Sequence, residues 1–509
     1  MRKWCGISIA SALPGLIALL TSCGSTSRPQ TEAQAPAADI PFQLTLNGFS
    51  IAGVPGLHSY VMAGTGDKLV LFGGRLNGLH SFPQNNQAPT QPAFPPNLAN
   101  DTVYVVDLVN KKLLGKAPVT NLPAPIQSQM KANNAQYTLQ NGWIYVVGGY
   151  GGKQLGTLNT VTAIDFNALV DAVVNATPLD ATFAASNIAQ ASSPALAITG
   201  GDLEPFGGNF LLAFGHLYNG QYTPSGSLAY QTYSDSIRVI SMQATRNAGK
   251  PSVTVNLVGA VPPVGTAQDP ENPYHRRDLT VRATLNASGQ PRVTAYGGVF
   301  KGGRMEGFLN PMYIDTASAS PGIATTNDTA TTQLLSQYDC AAIVFAGSSN
   351  VLYTTFFGGI SYYYWDDATK SLKHDAPDIA KAIDGLPFIN SISTLKQPAT
   401  GPGQQYLHTG QTFPPSGAAP SCPGTTPPTP ATLLGAETKF ALAPGVSTIG
   451  GGVIQLSGVT KPSAIGYLVG GIASTAPYSA NGTTCASSMF YEVTLNPSAP
   501  TSTVKLTAP

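Results

Sequence analysis

The sequence predicts an all-β protein built from repeated small antiparallel sheets. Three observations carry this. Only 10% of the 509 residues are charged, where an ordinary soluble domain has about a quarter. The chain holds 54 Gly and 42 Pro, a composition of many turns. Short apolar runs that end in a Gly pair recur along its length. The first two observations exclude helical bundles and coiled coils, which need charged faces and few Gly or Pro. A hydrophobic content of 42% supplies a large core and excludes wholesale disorder. The formal net charge is +1 with no basic run, so no nucleic-acid partner is expected.

The first residues read as an address. Arg2 and Lys3 precede the apolar stretch Ile7–Leu20, which is interrupted by Ser11 and Pro14 and too short for a permanent span. It ends Leu20-Thr21-Ser22-Cys23-Gly24. This ending resembles the lipobox of bacterial lipoproteins. The resemblance implies removal of residues 1–22, acylation of Cys23 and attachment to a membrane through the lipid. With Gly24 rather than Asp after the Cys, it implies the outer membrane, at its periplasmic face or the cell surface. Residues 23–41 are then the lipidated Cys and a Ser/Thr/Pro/Gln/Ala-rich tether, and 42–509 the folded body. No later stretch reaches 18 uninterrupted apolar residues.

Six apolar runs end in Gly pairs or their equivalent: Leu69–Gly74, Ile144–Gly149, Leu211–His216, Val293–Gly298, Tyr353–Gly359 and Ile465–Gly471. In the third, His216 stands in place of the second Gly. The ends are spaced 75, 67, 82, 61 and 112 residues apart. Each run is followed by a second strand behind a polar entry, as in Asn100-Asp101 before Val103–Asp107 and Asn159-Thr160 before Val161–Asp165. In the fifth unit, Gly358-Gly359 reads as a two-residue hairpin turn leading into Tyr362–Asp366. That makes the two strands antiparallel neighbours, a relation extended to the other units. Stretches upstream (Ser59–Ala63, Leu279–Leu285, Ala341–Ala346) and downstream (Leu113–Val119, Val253–Val258) bring each unit to four strands.

Six such units predict a six-bladed β-propeller. Seven blades are the alternative, because Lys439–Leu442 and Val453–Leu456 are extra strand candidates; a β-sandwich is another. The Gly pair closing the second strand resembles the kelch repeat, which implies a kelch-like propeller with long loop insertions, since these units exceed the usual length of about 50 residues. Either Leu44–Ile51 or Val504–Thr507 completes the last unit beside Phe490–Val493. Ala168–Val174 is expected as a short amphipathic helix, and about 398–430 as an exposed Pro/Gly/Thr-rich insertion.

In a propeller, the loops from strand two to three and from strand four to the next strand one share a face, which is where binding residues collect. The candidates there are His80, Tyr150, His216, Tyr218, His275, Arg276, Arg277, Arg304 and Glu306. Aromatic rings with a few charges suit a carbohydrate or protein ligand. His58, His216 and His275 each sit near an inner strand end. HExxH, GxSxG, Walker A and EF-hand patterns are all missing, so no catalytic residue, metal or cofactor is assigned. The expected function is a tethered binding or scaffolding protein. Kelch-like propellers also include copper oxidases and a sialic acid mutarotase. The resemblance therefore implies an alternative, an enzyme acting on extracytoplasmic sugars, with Arg304, Glu306 and His275–Arg277 as its acid/base set.

After processing, Cys340, Cys422 and Cys485 remain. Cys340 opens an apolar run and is expected to be buried and free. Cys422 and Cys485 fall in loops that share a face in a propeller and are expected to form a disulfide.

Overall fold

The computed structural model describes residues 38–80, 93–152, 155–220, 222, 231–263, 269–381, 383–422, 429–479 and 482–509. The signal segment, Cys23 and the tether to residue 37 lie outside the described residues. The body is all-β. It contains six antiparallel four-strand arrays, one of them within a seven-stranded sheet; in five, strands successive in sequence are neighbours in space, and the sixth takes one strand from the other end of the body.

Sheet I comprises Val61–Thr65, Lys68–Phe72, Thr102–Asp107 and Lys112–Pro118. Sheet II comprises Gln136–Gln140, Trp143–Val147, Thr160–Asp165 and Ile188–Ser192. Sheet III comprises Asp202–Phe206, Asn209–Ala213, Ile237–Asn247 and Lys250–Val261. Sheet IV comprises Thr280–Leu285, Pro291–Tyr296, Met312–Thr316 and Ile323–Asn327. Sheet V comprises Ala342–Ala346, Leu352–Ile360, Phe388–Gln397 and Gln404–Thr412. Sheet VI comprises Lys439–Leu442, Ser463–Val469, Met489–Asn496 and, from the other end of the body, Gln43–Ser50.

The second strands are mostly apolar because alternate residues enter different cores. Val70 and Phe72 pack toward sheet II with Ile144 and Val146. Leu69 and Leu71 pack toward sheet VI with Tyr467 and Phe490. Tyr145 and Val147 meet Phe210 and Leu212 of sheet III. Leu211 and Ala213 meet Val293 and Ala295 of sheet IV. Tyr296 meets Ala342 and Phe356 of sheet V. Phe345 and Phe357 meet Leu468 and Tyr491 of sheet VI. Each sheet thus packs on the next, and the sixth packs on the first.

The closing strand is the N-terminal one. Gln43–Ser50 pairs with Met489–Asn496 along its whole length, Gln43 opposite Asn496 and Ser50 opposite Met489. The C-terminal strand Thr503–Lys505 instead extends sheet V beside Tyr406–His408. The two ends of the body still meet: Thr501 donates its backbone N–H to the Ile40 carbonyl at 3.1 Å and its hydroxyl to the Phe42 carbonyl at 2.5 Å.

Several expectations need correction. The third pair is Phe214-Gly215, with φ of +60° and +80°, and His216 lies one residue beyond it. Gly358-Gly359 is no hairpin turn; it lies inside the strand Leu352–Ile360, at a register shift against Phe388–Gln397. The third strand of sheet V is therefore Phe388–Gln397, and Tyr364–Asp366 forms a separate small hairpin with Ser371–Lys373. Lys439–Leu442 is the first strand of sheet VI, and Val453–Gln455 joins the edge of sheet V, so neither begins a seventh four-stranded array among the described residues. The stretch 398–430 contains the strand Gln404–Thr412, whose Tyr406 and Leu407 are buried.

The helix expected over Ala168–Val174 runs Phe166–Val174 and is capped by Asp165, which accepts the Ala168 N–H at 3.0 Å. Cys422 and Cys485 form a disulfide, Cα to Cα 5.4 Å, and Cys340 is buried and free. Among the described residues, no helix is long and apolar enough to cross a membrane.

Candidate functional site

The first strands of the sheets are entered through one repeated backbone feature. Two residues before five of these strands stands a left-handed residue: Ser59 (φ +55°), Asn134 (+47°), Gly200 (+66°), Asp278 (+49°) and Glu437 (+57°). Only one of the five is Gly. The left-handed region is uncommon for other residues, Asn and Asp excepted, and such strain gathers at functional sites.

The Gly pairs hold these entries in place. Both members of each pair have positive φ, as at Gly73 (+66°), Gly74 (+71°), Gly148 (+61°) and Gly149 (+84°). A β-carbon at Gly74 would fall on the His58 carbonyl oxygen, and one at Gly358 on the Leu434 carbonyl oxygen. The residue after the pair then bridges to the residue before the left-handed one: His58 with Arg75, Asn133 with Tyr150, Thr199 with His216, Arg277 with Val299. Tyr150 and His216 therefore occupy equivalent positions in successive sheets.

These entry segments line a cavity of about 940 Å³. One polar cluster in it is His58, Ser59, Asn134 and Glu437. His58 Nδ1 is 2.9 Å from the Ser59 hydroxyl and 3.8 Å from Glu437 Oε2. The Asn134 amide, with its nitrogen turned to the carboxylate, donates to Glu437 at 3.2 and 3.3 Å and to Ser59 at 2.8 Å. Burial opposes ionisation of Glu437, but His58, Lys439 and Ser59 hold its carboxyl below the usual glutamate value.

The second cluster is His216, Arg277 and Asp278. Arg277 Nη1 donates to His216 Nδ1 at 3.0 Å, and its Nε lies 3.5 Å from Asp278 Oδ2. Burial, then the Arg277 and His275 charges, push His216 well below the ordinary histidine value, so it is neutral at pH 7. Burial pushes the Asp278 carboxyl up to about 7 against the pull of Arg277, with Glu437 and Asp339 adding to the rise. At the cavity edge, burial raises Asp384 to about 6.

One wall is aromatic. Phe94 lies 5.3 Å from Tyr150, 5.4 Å from Tyr222 and 5.8 Å from His80, centroid to centroid, and Tyr218 lies 5.0 Å from Tyr222. Beside it, His58 Nε2, Asn133 Oδ1 and the Tyr218 hydroxyl are buried and have no hydrogen-bond partner among the described residues. Their residues are 3%, 5% and 2% exposed.

Of the nine sequence candidates, the structure brings His80, Tyr150, His216, Tyr218 and Arg277 to the cavity lining. His275 turns away, with Nδ1 2.8 Å from Asp235 and its ring stacked on Tyr233. Arg276 is 1% exposed and donates to the carbonyls of Pro273, Gly297 and Asn310. Arg304 and Glu306 pair at 2.6 Å, with Arg304 also 2.8 Å from Glu271, at an exposed position outside the lining. His275 thus does not join Arg304 and Glu306 in one acid/base set. Ser59, Asn133, Asn134 and Glu437 were missed. Their signal is a polar pair just before a first strand, legible only when the repeats are aligned on that strand rather than on the Gly pair. Among the described residues no group of His, Cys, Asp and Glu is arranged to hold a metal ion.

No protein-family model matches the chain, and no curated protein matches it. Among solved structures, one titled "Structure of YjhT" aligns with 90% of this chain and 97% of its own, at 11% identity and a TM-score of 0.41.

Proposed function

We propose that the chain is a membrane-tethered, extracytoplasmic six-bladed propeller, kelch-like in its Gly pairs, that binds a small hydroxyl-rich ligand, a carbohydrate, in the cavity at the strand entries. The six sheets are its blades, the strand Gln43–Ser50 closes the ring, and Cys23 carries the lipid. The cyclic packing of sheet on sheet supports the propeller. The lipobox-like ending supports the anchor.

One observation carries the binding reading: the buried atoms His58 Nε2, Asn133 Oδ1 and Tyr218 Oη at the cavity wall, which have no partner among the described residues. A buried polar atom without a partner costs about 1–3 kcal/mol, which a ligand's hydroxyl groups would return. The adjoining ring faces suit the C–H faces of a sugar. A concave, mostly pre-formed site favours a small ligand over a protein surface. The test is a glycan array on the mature protein, followed by calorimetry of its best ligand. Tyr218→Phe and Asn133→Ala should each weaken binding about tenfold, and unchanged binding in both removes this cavity as the site.

A second reading, an enzyme acting on an extracytoplasmic sugar, is favoured by the divergence of two cavity carboxyls. Glu437 is held ionised beside His58, while Asp278 keeps a proton toward neutral pH. Such pairs serve as acid and base. Chemical change of the bound sugar, lost in His58→Gln and Asp278→Asn with binding retained, would select it.

A further inference from the structure

The strands that begin at the first cavity line a second one with their bodies. It holds about 1520 Å³ and is walled by Met62–Thr65, Gln136–Leu139, Asp202–Glu204 and Lys439–Leu442. A small cavity of about 340 Å³ touches both, sharing Asp278 and Glu437 with the first, and Asp339 and Lys439 with the second.

Four of the six charged residues lining the second cavity form ion pairs among the described residues, and Lys68 and Glu204 do not. Lys439 Nζ is 2.7 Å from Asp339 Oδ2, and Arg282 Nη1 is 3.8 Å from Asp202 Oδ2. Lys68 stands exposed on the rim. Glu204 projects from the same face of its strand as Asp202, two residues on. Its carboxyl makes neither a hydrogen bond nor an ion pair with any described residue. Gln136 provides an independent sign of a missing partner. It is 2% exposed, and its amide N–H donates to the Asn134 carbonyl at 2.7 Å, yet its Oε1 has no donor among the described residues. Both unfilled groups are acceptors. Of the lining cations, only Lys68 on the rim stands outside an ion pair. A hard metal ion needs several oxygen ligands converging at once, and the described residues offer no such group.

We propose that this second cavity binds an organic cation rich in N–H donors, an alkylammonium or guanidinium group, with Glu204 as its counter-charge and the Gln136 amide oxygen as its second acceptor. Tyr137 and Phe440 also line the cavity. Burial and the neighbouring Asp202 push the Glu204 carboxyl up to about 8, against the pull of the Arg282 charge. The same chemistry comes from a free amine or from the side chain of an arginine-bearing peptide.

Calorimetry on the mature chain at pH 9, where the Glu204 carboxyl is ionised, tests this with two probes, agmatine and the tripeptide acetyl-Gly-Arg-Gly-amide. Wild type should bind at least one saturably with one site per chain. Agmatine alone would mark a free amine as the source, and a tighter peptide a side chain. Glu204→Gln should weaken binding about tenfold or more, while Glu204→Asp, which keeps the charge, should stay within a few-fold of wild type. Near-ultraviolet circular dichroism establishes that each variant is folded. Tyr218→Phe, in the other cavity, should leave cation binding unchanged. Absence of saturation by both probes at 10 mM, or equal affinity in wild type and Glu204→Gln, overturns the proposal.

Discussion

Nδ1 of His58 stands 3.8 Å from Oε2 of Glu437, although one residue precedes the first strand of sheet I and the other the first strand of sheet VI. The meeting joins the earliest and latest entry segments of the body. It also fixes the imidazole: Nδ1 faces Ser59 and Glu437, and Nε2 is left to the cavity. Glu437 reaches that position from a left-handed backbone, a strain of about 1–3 kcal/mol that neighbouring packing must hold.

Stability should fall as pH rises from about 4 to about 7. A carboxyl whose folded value lies above its unfolded one keeps a proton that the unfolded chain has already released. Asp278 at about 7 and Asp384 at about 6 are such groups. Glu437 acts oppositely, its stabilisation being lost as pH drops below the carboxylate range. Thermal midpoints of wild type and Asp278→Asn between pH 4 and 8 should diverge, the variant declining less. Parallel curves would show that Asp278 does not hold its proton.

Arg276→Ala should destabilise by about 3 kcal/mol or more, because the guanidinium is buried and satisfies three backbone carbonyls that would be orphaned. Arg304→Ala, at a 53% exposed side chain, should unfold at nearly the wild-type midpoint. Urea unfolding of the two variants measures the contrast, and equal costs would refute it.

Breaking the Cys422–Cys485 link should cost about 4 kcal/mol on the chain-entropy model, since it spans a separation of 63 residues. Denaturant midpoints of wild type with and without reductant, beside Cys485→Ser, provide the measurement. A midpoint that ignores reductant would mean the two thiols do not bridge in solution.

Gly358→Ala should cost more than about 2 kcal/mol. The added carbon meets the Leu434 carbonyl, and φ there is +57°. Gly208→Ala also sits at positive φ, +81°, but in open space, and should cost only the backbone term of about 1 kcal/mol. Melting temperatures of the pair separate close approach from backbone preference.

Cys23→Ala should abolish acylation and release the protein from membranes. Mass spectrometry of the membrane-extracted wild type should show the added acyl mass, and its absence would sink the anchor.

The sheets were legible wherever apolar runs and turns are local. Leu69–Phe72 and Ile144–Val147 stand out because both faces of those strands are covered. Where the repeat bends, local reading slipped. Phe214 takes the left-handed place of a Gly, so the third pair was placed one residue late. Gly358-Gly359 looks like a turn, yet the strand continues through it as a bulge to pair with Phe388–Gln397. The strand Gln404–Thr412 sits within a stretch whose Pro and Gly content suggests a loop. For the cavity, aromatic loop residues such as Tyr150 and Tyr218 were visible as outliers in a charge-poor chain. Glu437 was not, because a lone acid before a short strand carries no sign of the His58 it meets from the far end of the sequence. Arg276 misled for the converse reason: an Arg in a charged run reads as solvated, and only the fold shows it turned onto carbonyls.

Thr501 holds Ile40 and Phe42 through hydrogen bonds, so the two ends of the body are already neighbours. Covalent continuity is then arbitrary with respect to the architecture. A short linker from Pro509 to Ala38 would seal the existing ends, and the exposed tip at Ala248-Gly249, between two long strands, offers a place to open new ones. A circularly permuted body that begins at Lys250 should fold with its cavities intact.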